Sequence, residues 1–211
     1  MQSVWLIILR SGNTSIKWLE MILRIKAQKK FIIFAFKKLQ DVYKRQVVHN
    51  PESNMGNACG CPPTMEIVHR GILTGLGTDG YTQDILESYK VANVLHKHHL
   101  CDANAAWGEV PQMLFEGNAK IANRYFKKQL GVLKEGAAAD VIVTDYIPRT
   151  PMNASNVNSH ILFGMTGRSV VTTVCNGKIL MKDRELLGID EEKVLYEVRN
   201  AAADLAKSIN G

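Results

Sequence analysis

An aspartate at the end of a short apolar run is the residue best placed to do chemistry. Asp79 follows the run Leu73–Leu76 and lies between Thr78 and Gly80. An ionised carboxylate can ligate a divalent metal, take a proton from water and return it to a leaving nitrogen. By itself, Thr-Asp-Gly is more typical of a turn in which the aspartate bonds its own backbone. Local sequence therefore leaves two interpretations of Asp79 open.

A second group of polar residues follows another short β-prone run. His49 ends the run, and Ser53 and Asn54 come shortly after it. These three side chains could meet a ligand in the same pocket as Asp79. They could equally organise a loop, since Asn and Ser side chains readily bond nearby backbone groups.

The remaining histidines and cysteines favour a metal site less. On a helix His96 and His99 would share a face, whereas His98 would point elsewhere. No carboxylate follows them at zinc-binding spacing, so we do not predict a metal site there. Cys59 and Cys61 lack the two-residue gap of redox and zinc motifs. All four cysteines are expected to be reduced thiols.

The elements that would position Asp79 and His49 follow the pattern of a parallel α/β fold. We predict strands at Val47–His49 and Leu73–Leu76, and a loop at Asn50–Pro63 because of its Asn, Gly and Pro content. A helix is predicted from Thr64 to about Arg70, and another from Ile85 onward. Strand, loop, helix, strand and helix in this order are typical of a parallel sheet.

The middle of the chain is predicted to be helical. Asp102 is a good N-cap for a helix that begins at Ala103. The segment up to Phe126 is expected to form two helices, broken near Pro111 or Gly117.

The last third combines a strand, a hairpin and a helix. The strand is predicted at Ala139–Thr144. Asn176-Gly177 separates the β runs Val170–Cys175 and Lys178–Lys182, which is the strongest short-range hairpin signal. The tail Asp190–Ile209 has the apolar spacing of an amphipathic helix.

The first 46 residues differ in composition from the rest. They hold ten Lys or Arg and two Asp or Glu, whereas the whole chain has a net charge of +6. This composition predicts basic amphipathic helices that bind membrane surfaces or nucleic acid. The hexapeptide Asp41–Gln46, however, matches one translation of a transposon end used to prepare sequencing libraries. We therefore expect an unrelated, artefactual or chimeric leader, with the membrane-surface or nucleic-acid adaptor as the alternative.

Several separated strings together resemble the amidohydrolase superfamily, in its aminohydrolase and deaminase branch. They occur in the family's order over roughly residues 47–211. The strings are Val48–Met55, Gly75–Gly80, Gly131–Gly136, Ala139–Val143 and Asn176–Lys178. Shared composition alone would not produce four or more such matches in one order.

The resemblance implies an α/β fold, the C-terminal portion of a TIM-type barrel. Residues 47–130 would supply about the last two barrel strands with their helices. Residues 131–188 would form part of a small β-sandwich, and residues 189–211 a C-terminal helix. Residues 1–46 would be the unrelated leader.

The resemblance also implies a function for the full-length parent. It would be a metal-dependent hydrolase of carbon–nitrogen bonds other than peptide bonds, and would deaminate a cyclic amine, an amidine or a purine-like molecule. Its divalent metal would be zinc or iron. Asp79 would be the last metal ligand and the proton carrier, and His49, Ser53 and Asn54 would shape the pocket rim. We expect a cytoplasmic protein, possibly homodimeric as a parent, that uses neither nucleic acid nor membrane.

The chain departs from the family pattern at the metal ligands. No His-x-His precedes residue 47, and the single such spacing, His96-Lys97-His98, follows Asp79. A catalytic zinc needs about three protein ligands. We therefore expect the isolated chain to bind metal weakly and to lack hydrolase activity.

Overall fold

Two separate sheets organise residues 46–210, which are the residues described by this computed structural model. One sheet has two parallel strands, and the other has four antiparallel strands in the order β3-β4-β5-β6. Helices connect and cover the parallel pair. The predictions made for residues 1–45 lie outside the described residues.

The parallel sheet confirms both predicted strands. Strand β1 covers Val47–His49 and strand β2 covers Thr74–Leu76. His49 lies opposite Leu76, and the Gly77 N–H donates to the His49 carbonyl at 2.9 Å. Parallel strands end at the same edge of a sheet, so the residues that follow His49 and Leu76 lie side by side.

The predicted loop between these strands is wrong in its first half. Helix α1 covers Pro51–Gly56, which leaves Asn50 and residues 57–63 irregular. Pro51 is the first helical residue, where its fixed φ and missing N–H cost nothing. Helix α2 covers Thr64–His69, as predicted.

Helix α3, Ile85–Leu100, packs against the sheet and confirms the prediction of a long helix. Asp84 is its N-cap and accepts the Leu86 N–H at 2.9 Å. Side chains from α2, β2, α3 and later helical segments share one buried apolar cluster. Its members are Met65, Val68, Leu76, Tyr89, Ala92, Ala106, Val110, Met113 and Leu162.

The helix predicted from Ala103 is wrong, because turns occupy residues 103–108. Asp102 accepts the Asn104 N–H at 2.8 Å, which closes a turn and does not start a helix. Helix α4 begins later, at Glu109–Pro111, and continues through a π-helical stretch, Gln112–Gly117. Helix α5 follows directly as Asn118–Ala122. At the predicted break the chain stays helical, and it changes from α-helix to π-helix and back.

The second sheet confirms the predicted hairpin. Strand β3 covers Val141–Thr144, β4 covers Val170–Cys175, β5 covers Lys178–Lys182, and β6 covers Glu185–Leu186. Asn176 and the glycine after it join β4 to β5 with φ values of 48° and 81°. Two positive φ values are what a two-residue hairpin turn needs, and Asn-Gly adopts them readily.

Two further helices complete the described part of the chain. Helix α6 covers Val157–Gly164, and helix α7 covers Glu191–Asn210, which confirms the predicted tail helix. The Gly167 N–H, beyond α6, donates to the Asp84 carboxylate at 2.7 Å and ties this region to the start of α3. Within residues 46–210, no helix is long and apolar enough to cross a membrane.

Candidate active site

Asp79 lies in the turn immediately after strand β2, with its carboxylate exposed to solvent. Its φ of 54° is left-handed, a conformation that Asp tolerates better than most residues. One carboxylate oxygen, Oδ1, accepts the Gly80 N–H at 2.7 Å. The turn interpretation is therefore correct as local geometry, and it leaves the second oxygen, Oδ2, available for another partner.

That partner is Ser53, one of the residues predicted from sequence. The Ser53 hydroxyl donates to Asp79 Oδ2 at 2.9 Å. Asn57 Nδ2 in turn donates to the Ser53 carbonyl at 2.9 Å and to the Ser53 hydroxyl at 3.3 Å. Helix α1 thus brings a fixed hydroxyl to the carboxylate across the ends of the two parallel strands.

Asn54 and His49 are buried and are not brought to Asp79 by any described contact. Asn54 is 4% exposed, and its carbonyl accepts the Cys59 N–H at 2.8 Å. His49 is 1% exposed. Because side chains alternate along a strand, His49 shares a face with Val47, which packs against Ile67 of helix α2. His49 therefore points into the helix layer, and its place at the pocket rim stays a prediction.

The buried partner of His49 is His96 on helix α3. Their Nε2 atoms are 3.1 Å apart. Burial lowers the pKa of His49 to about 3, with a further lowering from His96. Burial also lowers the pKa of His96 to about 4. Both imidazoles are therefore neutral at pH 7, and one can donate the shared hydrogen bond while the other accepts it.

Cys61 extends this contact to a third residue. Its Sγ lies 3.4 Å from His96 Nδ1, so Cys61, His96 and His49 form one continuous hydrogen-bonded series. Of the two histidines expected to share a helix face, His96 is buried and His99 is exposed. The signal that could have found His96 is its seven-residue spacing from the core residue Tyr89 on the same helix.

A carboxyl–hydroxyl pair also joins helix α1 to helix α3. Ser88 Oγ donates to Glu52 Oε2 at 2.8 Å. Burial raises the pKa of Glu52, and its other oxygen, Oε1, is buried without a partner among the described atoms. No local pattern in the sequence indicates this pair, because Glu52 and Ser88 are far apart in the chain.

The described residues do not by themselves fit a catalytic zinc. Between residues 46 and 210, no group of three or more His, Cys, Asp or Glu side chains is placed to hold a metal ion. The partners of the Asp79 carboxylate are a serine hydroxyl and a backbone N–H, both hydrogen-bond donors. A catalytic zinc needs about three protein ligands, and Asp79 would supply one.

A cavity of about 410 Å³ lies at the other end of strand β2 from Asp79. Its wall includes Leu73 and Thr74 at the beginning of the strand, with Met113 and Lys120 from the later helical segments. Barrel enzymes use the carboxyl ends of the strands for chemistry, so this cavity is not the candidate site.

Known proteins resemble this chain in sequence. The chain matches the model of the amidohydrolase family over residues 22–180, a range that begins within the basic N-terminal segment. It is 36% identical over 169 residues to the 5'-deoxyadenosine deaminase of Methanosarcina mazei, covering 78% of this chain and 38% of the relative. It is 37% identical over 144 residues to the 5-methylthioadenosine/S-adenosylhomocysteine deaminase of Thermococcus onnurineus, covering 66% and 33%. The chain thus spans well under half the length of these relatives.

Solved structures give the same fold. An adenosine deaminase from Xanthomonas campestris with bound zinc superposes with a TM-score of 0.71 at 22% identity, covering 88% of this chain and 42% of that one. The atrazine chlorohydrolase of Arthrobacter aurescens, complexed with zinc, gives 0.64 at 20% identity, covering 83% and 39%. Each similarity confirms a partial barrel of the TIM type.

Proposed function

Because the chain belongs to the amidohydrolase family, we propose that it forms the C-terminal part of an aminohydrolase that removes a ring amine from a purine-like small molecule. The Ser53–Asp79 pair is the observation that carries this proposal. It places a carboxylate, oriented by a hydroxyl, at the carboxyl ends of two adjacent parallel strands. That edge is where barrel enzymes hold their reacting groups.

The reaction proposed for the whole protein is hydrolytic deamination. Water adds to the ring carbon that bears the amine, the carbon–nitrogen bond breaks, and ammonia leaves. One proton must move from the water to the departing nitrogen. The Asp79 carboxylate can accept that proton and return it, as a general base and then a general acid.

Ser53 and Gly80 would act on Asp79 by fixing its orientation. With Oδ2 accepting from Ser53 and Oδ1 accepting from Gly80, the carboxylate plane is held at two points. A proton carrier works best when its rotation is restricted before the reaction begins. Asn57 would support the pair by bonding Ser53.

The substrate class follows from the relatives. The curated deaminases that the chain matches act, by their names, on 5'-deoxyadenosine, methylthioadenosine and S-adenosylhomocysteine. We propose an adenosine-like substrate for the whole protein. Ser53 would support the wall of its pocket by orienting Asp79. His49 and Asn54 would support that wall from within the fold. Cytoplasmic location and a homodimeric parent stay predictions.

A divalent metal, zinc or iron, is proposed for the whole protein, with Asp79 as one ligand. The relatives of known structure named above hold zinc. The remaining ligands would have to come from outside residues 46–210, so the isolated chain is not expected to hold a metal stoichiometrically.

A chimera tests the proposal. Residues 47–211 would replace the matching C-terminal part of the Methanosarcina mazei deaminase, and ammonia release from 5'-deoxyadenosine would be measured. We expect turnover in the chimera and none in the isolated chain. Asp79→Asn should lower kcat by at least about a hundredfold, because the amide cannot carry the proton.

Asp190→Asn is the matched control, since Asp190 is an exposed carboxylate before helix α7. It should leave kcat unchanged. A folded, zinc-loaded chimera that releases no ammonia from any adenosine derivative would contradict the substrate class. Full activity in Asp79→Asn would contradict the role of Asp79.

A further inference from the structure

We propose that Cys61, His96 and His49 form a second, separate site, a base-assisted thiol that exchanges with small disulfides. Three segments supply its members: the irregular segment 57–63, helix α3 and strand β1. The site lies outside the Ser53–Asp79 pair, and it does not depend on the proposed deaminase activity.

The geometry has the three parts of an activated nucleophile. Cys61 Sγ lies 3.4 Å from His96 Nδ1, within hydrogen-bonding range for sulfur. His96 Nε2 lies 3.1 Å from His49 Nε2, so the base is itself oriented by a third side chain. A nucleophile, a base in contact with it, and a group that holds the base are the recognised arrangement for covalent chemistry.

Cys61 Sγ also lies 3.7 Å from the Pro62 carbonyl oxygen. One assignment of protons makes both imidazole contacts favourable. If the Cys61 thiol donates to His96 Nδ1, then His96 Nε2 carries a proton and donates to His49 Nε2. His49 then carries its own proton on Nδ1. That atom is buried and has no partner among the described residues, so the hydrogen-bonded series ends there.

Burial keeps the base in the required form. A base must be unprotonated to accept, and burial lowers the pKa of His96 to about 4. The imidazole is therefore unprotonated throughout the neutral range and can accept a hydrogen bond from the thiol. His49 is a positioning residue, because it acts only through His96.

The reaction balances without any further reactant. Cys61 sulfur attacks one sulfur of a small disulfide, R–S–S–R, as its proton passes to His96 Nδ1. A mixed disulfide forms between Cys61 and R–S, and the second R–S leaves as a thiolate. The thiolate takes the proton from His96, and the products are the mixed disulfide and R–SH.

The other cysteines provide internal controls. Cys101 and Cys175 are exposed, whereas Cys61 is half-buried. No described contact joins either exposed thiol to a histidine side chain. Accessibility alone therefore predicts that Cys61 reacts most slowly of these three, and base assistance predicts the reverse order.

The test uses the full chain and bis(2-hydroxyethyl) disulfide, which has no group that titrates between pH 5 and pH 7. Adduct formation at each cysteine would be followed by peptide mass spectrometry, in the native protein and in guanidinium. We expect native Cys61 to react about tenfold faster than Cys101 and Cys175 at pH 7, and all sites to become similar in guanidinium. This comparison needs no variant to fold.

The pH profile separates base assistance from simple exposure. An unassisted thiol reacts as the thiolate, so its rate falls about tenfold for each pH unit below its pKa. A thiol that gives its proton to a neutral imidazole during attack should show a nearly constant rate from pH 7 to pH 5. We expect the constant rate for Cys61 and the steep fall for Cys101 and Cys175.

Variants then assign the base. His96→Gln should lower the Cys61 rate about tenfold and restore its steep pH dependence, with the Cys101 and Cys175 rates unchanged. His98→Gln, on the exposed face of the same helix, should change none of them. The proposal is overturned if wild-type Cys61 reacts no faster than Cys101, or if its rate falls with pH as steeply.

Discussion

The side-chain amide of Asn118 bonds both backbone groups of Leu76. Asn118 Oδ1 accepts the Leu76 N–H at 2.9 Å, and Asn118 Nδ2 donates to the Leu76 carbonyl at 2.9 Å. The neighbouring residue Gly77 donates toward β1, so in a parallel ladder Leu76 faces the opposite edge. Asn118 therefore takes the place of a neighbouring strand at Leu76. Leu76 lies three residues before Asp79.

Replacing Asn118 by alanine should destabilise the fold. Leu76 is 3% exposed, so its N–H and carbonyl would be left buried without partners. We expect the free energy of unfolding to fall by about 2–3 kcal/mol, measured by urea denaturation.

Asn123→Ala is the matched control for that experiment. Asn123 makes the same two contacts to Leu130, but Asn123 is exposed. Water can replace these bonds, so the loss should be about 1 kcal/mol or less. Equal losses at the two sites would contradict the buried-edge explanation.

Removing the Ser53 hydroxyl should release one oxygen of Asp79. In the deaminase chimera, Ser53→Ala is expected to lower kcat about tenfold, because the carboxylate would then rotate more freely. Thr78→Ala is the control, since within residues 46–210 the Thr78 hydroxyl bonds the Asp79 backbone carbonyl and not its carboxylate. If the two variants lost the same activity, the orienting role of Ser53 would be refuted.

Two glycines should respond in opposite directions to alanine. A Cβ on Gly117 would lie 1.9 Å from the Thr74 carbonyl oxygen, whereas a Cβ on Gly108 would meet nothing within 4 Å. Gly117→Ala should therefore cost about 3 kcal/mol, which corresponds to a Tm lower by roughly 10 °C. Gly108→Ala should stabilise by about 0.5 kcal/mol, because it restricts the unfolded chain. Scanning calorimetry on both variants checks this contrast.

The buried histidine pair should make stability depend on pH. Folding lowers the pKa of His49 to about 3 and that of His96 to about 4, so below the usual value of 6.5 the unfolded chain binds more protons. The stabilisation is complete above pH 6.5 and is lost as the pH falls toward these values. Between pH 7 and pH 5 we expect a loss on the order of 2–4 kcal/mol.

Urea denaturation at pH 5, 6 and 7 measures this dependence. A variant with both His49→Gln and His96→Gln should lose most of the slope, since glutamine does not titrate. His98→Gln should retain it, because His98 is exposed and is not among the groups that shift the pKa of His96. A slope in the double variant equal to that of the wild type would assign the pH dependence to other groups.

Much of the local structure could be predicted from the sequence. The two short strands, the long helix from Ile85 and the Asn176-Gly177 hairpin all depend on propensities and turn chemistry acting over a few residues. The errors at 51–56 and 103–108 were also local. Pro51 at a helix start was not recognised, and Asp102 caps a turn as readily as a helix.

The sequence by itself determined that Asp79 follows a strand and that the chain resembles one enzyme family. Only the tertiary structure decided the partners. Ser53 reaches Asp79 across 26 residues, His96 reaches His49 across 47, and Asn118 reaches Leu76 across 42. Hydrogen bonds of this kind depend on how strands and helices pack, and no local pattern specifies which distant side chain fills each place.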